Sequence, residues 1–183
     1  WVDRLQPYYA RELELAGTVA TVPPADLVGQ MERALDEFVN ATGNTIAFLG
    51  TAPYWYGHGD RLDEVFVDPL DEQVPDALGS SCDPGDGVDP RTIEGIFQSE
   101  LYEAARRDEL ETVEPWGCIT AENGLTTTSV ERIPPSSESY GILTVFSEND
   151  ELVHTPIERT AFGELCSQGT EMRYLECAEA DHV

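Results

Sequence analysis

An α/β fold, an open parallel sheet interrupted by a largely helical insertion, is what this sequence predicts, and three observations predict it. Near its end the chain reads strand, turn, helix, strand: the apolar run Gly141-Ile-Leu-Thr-Val-Phe146, the polar turn Ser147-Glu-Asn-Asp150, helical residues over 156–166 and a second strand over 171–177. An earlier run, 13–22, is rich in small and β-branched residues and free of charge after Glu14, which suits a strand covered on both faces. The stretch between that run and Gly141 far exceeds the dozen or so residues of a simple crossover and is mostly helical in pattern.

The elements follow in order. Residues 1–10 predict the end of an amphipathic helix, with Trp1, Leu5 and Tyr8 at helical spacing. The strand over 13–22 is terminated by Pro23-Pro24. Asp26 is a helix cap rather than a functional acid, because Leu27-Val28, Met31, Leu35 and Phe38 repeat behind it at helical spacing through Val39. Asn40-Ala-Thr-Gly-Asn44 breaks that helix, and Asn40-Ala-Thr42 also matches the N-glycosylation sequon. Residues 45–56 hold Ile46, Phe48, Leu49, Tyr54, Trp55 and Tyr56, an apolar and aromatic cluster that fits a core or the lining of a groove for an apolar ligand. His58, in Gly57-His-Gly-Asp60, is a surface histidine rather than a metal ligand, since no second His or Cys stands at ligand spacing.

Residues 60–136 form an acidic middle. Helices are expected over 70–78 and 93–110, the second with Ile93, Ile96, Phe97, Leu101 and Ala104 on one face. Between them Asp83, Asp86 and Asp89 do not follow the EF-hand pattern, and the segment is expected to be a solvated loop stapled by Cys82 rather than a calcium site. Residues 111–140 read as a long connection punctuated by Pro115, Gly117, Gly124 and Pro134-Pro135.

The chemistry concentrates where the two late strands end. Each delivers a polar residue just past its C-terminal end, Asp150 after the first and His182 after the second, where parallel α/β sheets place their working residues. A carboxylate that fixes an imidazole's tautomer and steadies its charged form is the acid–base half of a serine hydrolase triad. Glu148 is the rival acid, and Asp150 is preferred because it stands at the helix entry before Leu152-Val153. His154 also lies close, but its place at the helix entry favours a structural or substrate-contact role. The nucleophile is missing. A nucleophile elbow needs Gly-x-Ser-x-Gly, and neither Ser167, in Leu165-Cys-Ser-Gln-Gly169, nor Ser81, in Gly79-Ser-Ser-Cys-Asp83, supplies it.

These residues carry a resemblance. Ile142-Leu-Thr-Val-Phe-Ser-Glu-Asn-Asp-Glu-Leu-Val153, followed by Pro156, resembles the strand-plus-acid segment of α/β-hydrolases. Glu179-Ala-Asp-His-Val183 is similar to the segment around their catalytic histidine, with Glu179 where glycine is usual. Leu15-Ala-Gly-Thr-Val-Ala-Thr-Val-Pro-Pro-Ala-Asp-Leu27 resembles the strand and turn after the nucleophile helix in the secretory lipase family, whose members include microbial triacylglycerol lipases. The resemblance implies the C-terminal part of an α/β-hydrolase sheet, with core at 1–25 and 137–183 and a cap or lid at 26–136. It also implies an ester hydrolase whose catalytic Asp and His are Asp150 and His182 and whose serine lies upstream of Trp1, so that this chain alone is inactive. A serine peptidase on the same scaffold, or a non-catalytic binding domain, remains as an alternative.

Composition bounds the partners. The net charge of −26 comes with ten basic residues, all arginine, and repels nucleic acid phosphates and anionic membranes. Such acidity fits a saline habitat or simply a well-solvated surface. No apolar run is long enough to cross a bilayer and no signal peptide is recognisable within these 183 residues. A lipid or other ester substrate is expected, with no cofactor and no metal. Cys82, Cys118, Cys166 and Cys177 suit an exported, disulfide-bearing protein; of the three possible pairings, Cys166 with Cys177 and Cys82 with Cys118 is favoured over four free thiols.

Overall fold

Three short runs pair into one all-parallel sheet in the computed structural model of the chain, which describes residues 1–81, 89, 91–135 and 140–182. They are β1 (Thr18–Thr21), β2 (Ile142–Ser147) and β3 (Met172–Cys177), in that spatial order. Contacts divide the chain into a sheet unit, Trp1–Asp26 with Gly124–Val183, and a helical unit, Leu27–Asn123.

In the sheet unit, Thr18 stands opposite Ile142 and Ile142 opposite Met172, and the β2–β3 ladder runs on to Ser147 opposite Cys177. β1 is shorter than the run 13–22 suggested. Its ladder begins where Thr18 N–H reaches the Gly141 carbonyl, just ahead of β2, so the residues before it lack a strand partner. Nor is β1 covered on both faces. Strand side chains alternate, so Ile142, Thr144 and Phe146 are buried on one face while Val19 and Leu175 are 67% and 50% exposed on the other.

Helix α1 (Val2–Tyr9) buries a different face from the one its apolar spacing suggests. Asp3 and Arg4 are turned inward, whereas Trp1 and Tyr8 are exposed. Asp3 accepts two hydrogen bonds from Arg132 at 2.6 and 3.2 Å, and Arg4 donates to the Thr127 carbonyl. Charged groups leave water only when they are paired, and these pairs are what lets the helix bury them.

Helix α8 (Thr155–Ser167), the last of the helices among the described residues when they are numbered in chain order, joins β2 to β3. Its inward face is Glu158, Ala161 and Leu165, at helical spacing, and Phe162 and Phe146 both pack on the Tyr174 ring, with centroids 4.9 and 5.1 Å away. The helix stops at Gly169, φ +82°. Thr170 N–H reaches the Leu165 carbonyl and Gly169 N–H the Cys166 carbonyl, the paired bonds that close a helix on a left-handed residue.

The helical unit holds α2 (Leu27–Asp36), α3 (Thr42–Trp55), α4 (Leu70–Ser80), α5 (Ile93–Ile96), α6 (Ser99–Ala105) and α7 (Trp116–Asn123). The break after α2 falls earlier than 40–44, at 37–41: α2 ends at Asp36 rather than Val39, and Thr42 opens α3, its hydroxyl donating to the Ala34 carbonyl and accepting from Val39 N–H. The helix expected over 93–110 is interrupted: Phe97 bridges Phe66 in extended geometry, with Gln98 N–H on the Val65 carbonyl and Val67 N–H on the Ile96 carbonyl. The predicted face survives, since Ile93, Ile96, Phe97, Leu101 and Ala104 are all in the core. Part of the connection after residue 111 is in fact α7, and its Trp116 sits in that core among Met31, Leu49, Leu62 and Ile119. The 45–56 cluster divides, with Ile46 and Leu49 in the core and Tyr54, Trp55 and Tyr56 exposed at the end of α3. Among the described residues no helix is long and apolar enough to cross a membrane.

The favoured pairing of Cys166 with Cys177 is not formed, and both are free thiols. The physical reason is direction. Cys166 ends α8 close to where the chain turns into β3, and five strand steps of ~3.3 Å carry Cys177 roughly 17 Å from Met172. Cys118 is also free, and its suggested partner Cys82 lies outside the described residues, as do Asp83 and Asp86 of the acidic loop.

Candidate active site

Parallel register brings the C-terminal ends of β2 and β3 level at Ser147 and Cys177. Each strand then enters a turn, and the two turns are laced together: Glu148 N–H donates to the Cys177 carbonyl at 3.1 Å and Asn149 N–H to the Ala180 carbonyl at 2.9 Å. Two loops that would otherwise diverge are thereby held side by side.

Asp150 ends the first turn and is almost wholly buried. Its Oδ1 accepts the backbone N–H groups of Leu152 and Val153 at 2.9 and 2.7 Å, so the chain that follows fixes the rotation of the carboxylate. From the second turn His182 presents Nδ1 2.8 Å from Oδ2 and 3.0 Å from Oδ1. A carboxylate only accepts, so Nδ1–H is the donor, and in the neutral ring Nε2 then keeps its lone pair. His182 itself remains partly exposed, its side chain 41% accessible. The arrangement has the polarity of a general base: a buried acid, an imidazole held in one tautomer, and a free basic nitrogen on the open side.

The structure thus brings Asp150 and His182 together. Glu148 does something else: its Oε2 accepts Glu179 N–H at 2.8 Å. His154 is the N-cap residue of α8, where its carbonyl accepts from Ile157 N–H. Ser167 donates to the Glu164 carbonyl at the helix end, and Ser81 follows α4 in the helical unit. His58 is half-buried against the Trp116 ring rather than a free surface residue, with Nδ1 3.4 Å from Arg61.

Two supports went unnoticed in the sequence. Glu158, wholly buried in the first turn of α8, accepts Ala25 N–H at 2.8 Å and so ties the turn after β1 to the helix. Its signal was there, because Glu158, Ala161 and Leu165 share one helical face. Thr155 Oγ1 donates to the Ser147 carbonyl, pinning the start of α8 to the end of β2. At the matching end of β1, Val22 adopts φ +45°, a conformation costly for a β-branched residue, while its N–H bonds the Val145 carbonyl.

Solved structures carry the same architecture. The chain superposes on the rice cell wall degrading esterase LipA from Xanthomonas oryzae with a TM-score of 0.70 at 17% identity, over 96% of this chain and 46% of that one. It superposes on lipase A from Candida antarctica, in its closed state, with a TM-score of 0.66 at 12% identity, over 100% of this chain and 41% of the other. The fold is that of the α/β-hydrolases. The chain spans less than half the length of the solved hydrolases it matches. No family model and no curated protein matches it.

Proposed function

We propose that Asp150 and His182 are the acid and base of a Ser-Asp-His triad in a carboxylic ester hydrolase of the secretory lipase kind, completed by a serine from sequence ahead of Trp1. The observation that carries this reading is the approach of His182 Nδ1 to a buried carboxylate whose orientation two backbone amides fix. Ester substrates are favoured because the solved structures of like fold are an esterase and a lipase.

In that reaction the serine oxygen attacks the ester carbonyl while Nε2 of His182 takes its proton. Asp150 steadies the imidazolium, which returns the proton to the departing alcohol. Water then repeats the sequence on the acyl-enzyme, with His182 again as base. The helical unit, inserted between β1 and β2, is proposed as the cap that shapes the acyl site. Export belongs to the same proposal, and it does not lean on a Cys166–Cys177 disulfide, since both are free.

The test extends the coding sequence upstream and assays p-nitrophenyl esters. A Gly-x-Ser-x-Gly ahead of Trp1 and ester turnover are expected, and His182→Ala lowers kcat by about 10³–10⁴-fold or more with the fold intact. Turnover within tenfold of the parent would sink the assignment. Cleavage of peptides in preference to esters gives a peptidase instead, and absence of both the motif and turnover gives a binding domain.

A further inference from the structure

Glu179 sits at φ +56°, in the left-handed region that residues with a Cβ seldom adopt. Only three residues later the chain places His182 on Asp150. Something must hold that turn against its own preference. The backbone ties from Glu148 N–H to Cys177 and from Asn149 N–H to Ala180 anchor the carbonyls on either side of it. Between them the Glu179 N–H is held by Glu148 Oε2 at 2.8 Å.

We propose that Glu148 is a positioning residue: its carboxylate captures the Glu179 amide and keeps the left-handed turn that delivers His182 to Asp150. The inference rests on the reading of Asp150 and His182 as an acid–base pair. A carboxylate acceptor suits this task better than a neutral one, because a charge-assisted bond to N–H is about twice as strong as a neutral bond. It also spans the two turns, so it couples the loop that holds the acid to the loop that carries the base. Glu148 needs no contact with substrate to do this.

The His182 ring is assignable by its loss in a His182 substitution, and long-range ¹⁵N–¹H spectra of the protein read its tautomer directly. The wild type is expected to show His182 as the Nδ1–H tautomer with a slowly exchanging proton. Glu148→Ala is expected to raise the Nε2–H fraction and to speed that exchange about tenfold, the effect of one lost hydrogen bond, while the His58 and His154 signals stay in place. Glu148→Gln, which keeps a carbonyl acceptor, is expected to retain most of the wild-type signal. Adding Glu179→Gly to Glu148→Ala is expected to restore it, because glycine takes a positive φ without penalty.

A wild-type His182 signal in Glu148→Ala overturns the inference, and so does failure of Glu179→Gly to restore what Glu148→Ala loses. A wild type lacking the Nδ1–H tautomer overturns the acid–base reading itself, a separate result visible before any variant is made. Should Glu148→Ala not fold, Glu148→Met, similar in length but without an oxygen acceptor, reads the same difference with and without Glu179→Gly.

Discussion

The helical unit and the sheet unit are held together by different forces. Residues 27–123 enclose one large apolar cluster running from Met31 through Phe66, Phe97 and Trp116 to Ile119. Few polar side chains are buried there, Gln30, Thr42, Thr45 and Thr120. The sheet unit has a smaller cluster of Ala25, Ala161 and Leu165, and it buries the hydrogen-bonded side chains of Asp3, Arg4, Asp150, Thr155 and Glu158. Apolar burial is non-directional and gives stability; buried polar pairs are directional and give position. The contrast follows the roles proposed here. A cap needs a stable body, whereas an acid and a base need fixed angles.

That difference is open to direct attack. Trp116→Ala removes the largest wholly buried side chain of the helical unit and should cost about 4 kcal/mol, read as a fall in the urea midpoint. A loss below ~1 kcal/mol would mean that this unit does not depend on its apolar centre. In the sheet unit the comparable damage comes from breaking a pair. Asp3→Ala strands Arg132, whose side chain is only 16% exposed, and should cost about 2–3 kcal/mol. Replacing both partners with apolar residues should recover most of that, because no charge is then left buried alone. If the double change is as costly as the single one, packing rather than charge pairing holds α1 in place.

Much of this was legible beforehand, and the reasons are specific. The βαβ segment at 141–177 announced itself because each element has its own period and a clear stop, as at Gly169. The meeting of Asp150 with His182 was expected from their positions, with the resemblance of their segments pointing the same way, since parallel strands in register deliver their following residues to one edge. What stayed hidden depended on partners distant in the chain. No local pattern shows that Asp3 will meet Arg132, or that Phe97 will leave its helix to bridge Phe66. The apolar spacing of Trp1, Leu5 and Tyr8 pointed to the wrong face of α1 because the pairing of its charges, not its hydrophobicity, decides what is buried. Cys166 and Cys177 misled for a related reason: nearness in sequence across a crossover places two residues at opposite ends of the unit.

The smallest expected effect tests the polar side of the comparison most finely. Glu176, near the end of β3, is held by Arg159, which donates from Nε at 2.9 Å and again from Nη2, and by the Tyr174 hydroxyl. The Arg159 bond above all, then that of Tyr174, lowers the Glu176 carboxyl from 4.5 to about 2. A carboxyl whose folded value lies below its ordinary one stabilises the fold at pH above that ordinary value, and the contribution drains away as pH falls from about 4.5 to about 2. Glu176→Gln should therefore lower the urea midpoint at neutral pH and flatten its decline through that acid window. Glu94, lowered by Arg106 in the helical unit, provides the contrast, because its carboxylate is 56% exposed against 22% for Glu176, and exposed carboxylates gain little from pairing. Glu94→Gln is expected to leave both the neutral midpoint and the acid slope nearly unchanged. Equal behaviour of the two variants would remove the distinction between a sheet unit positioned by polar contacts and a helical unit held by its apolar core.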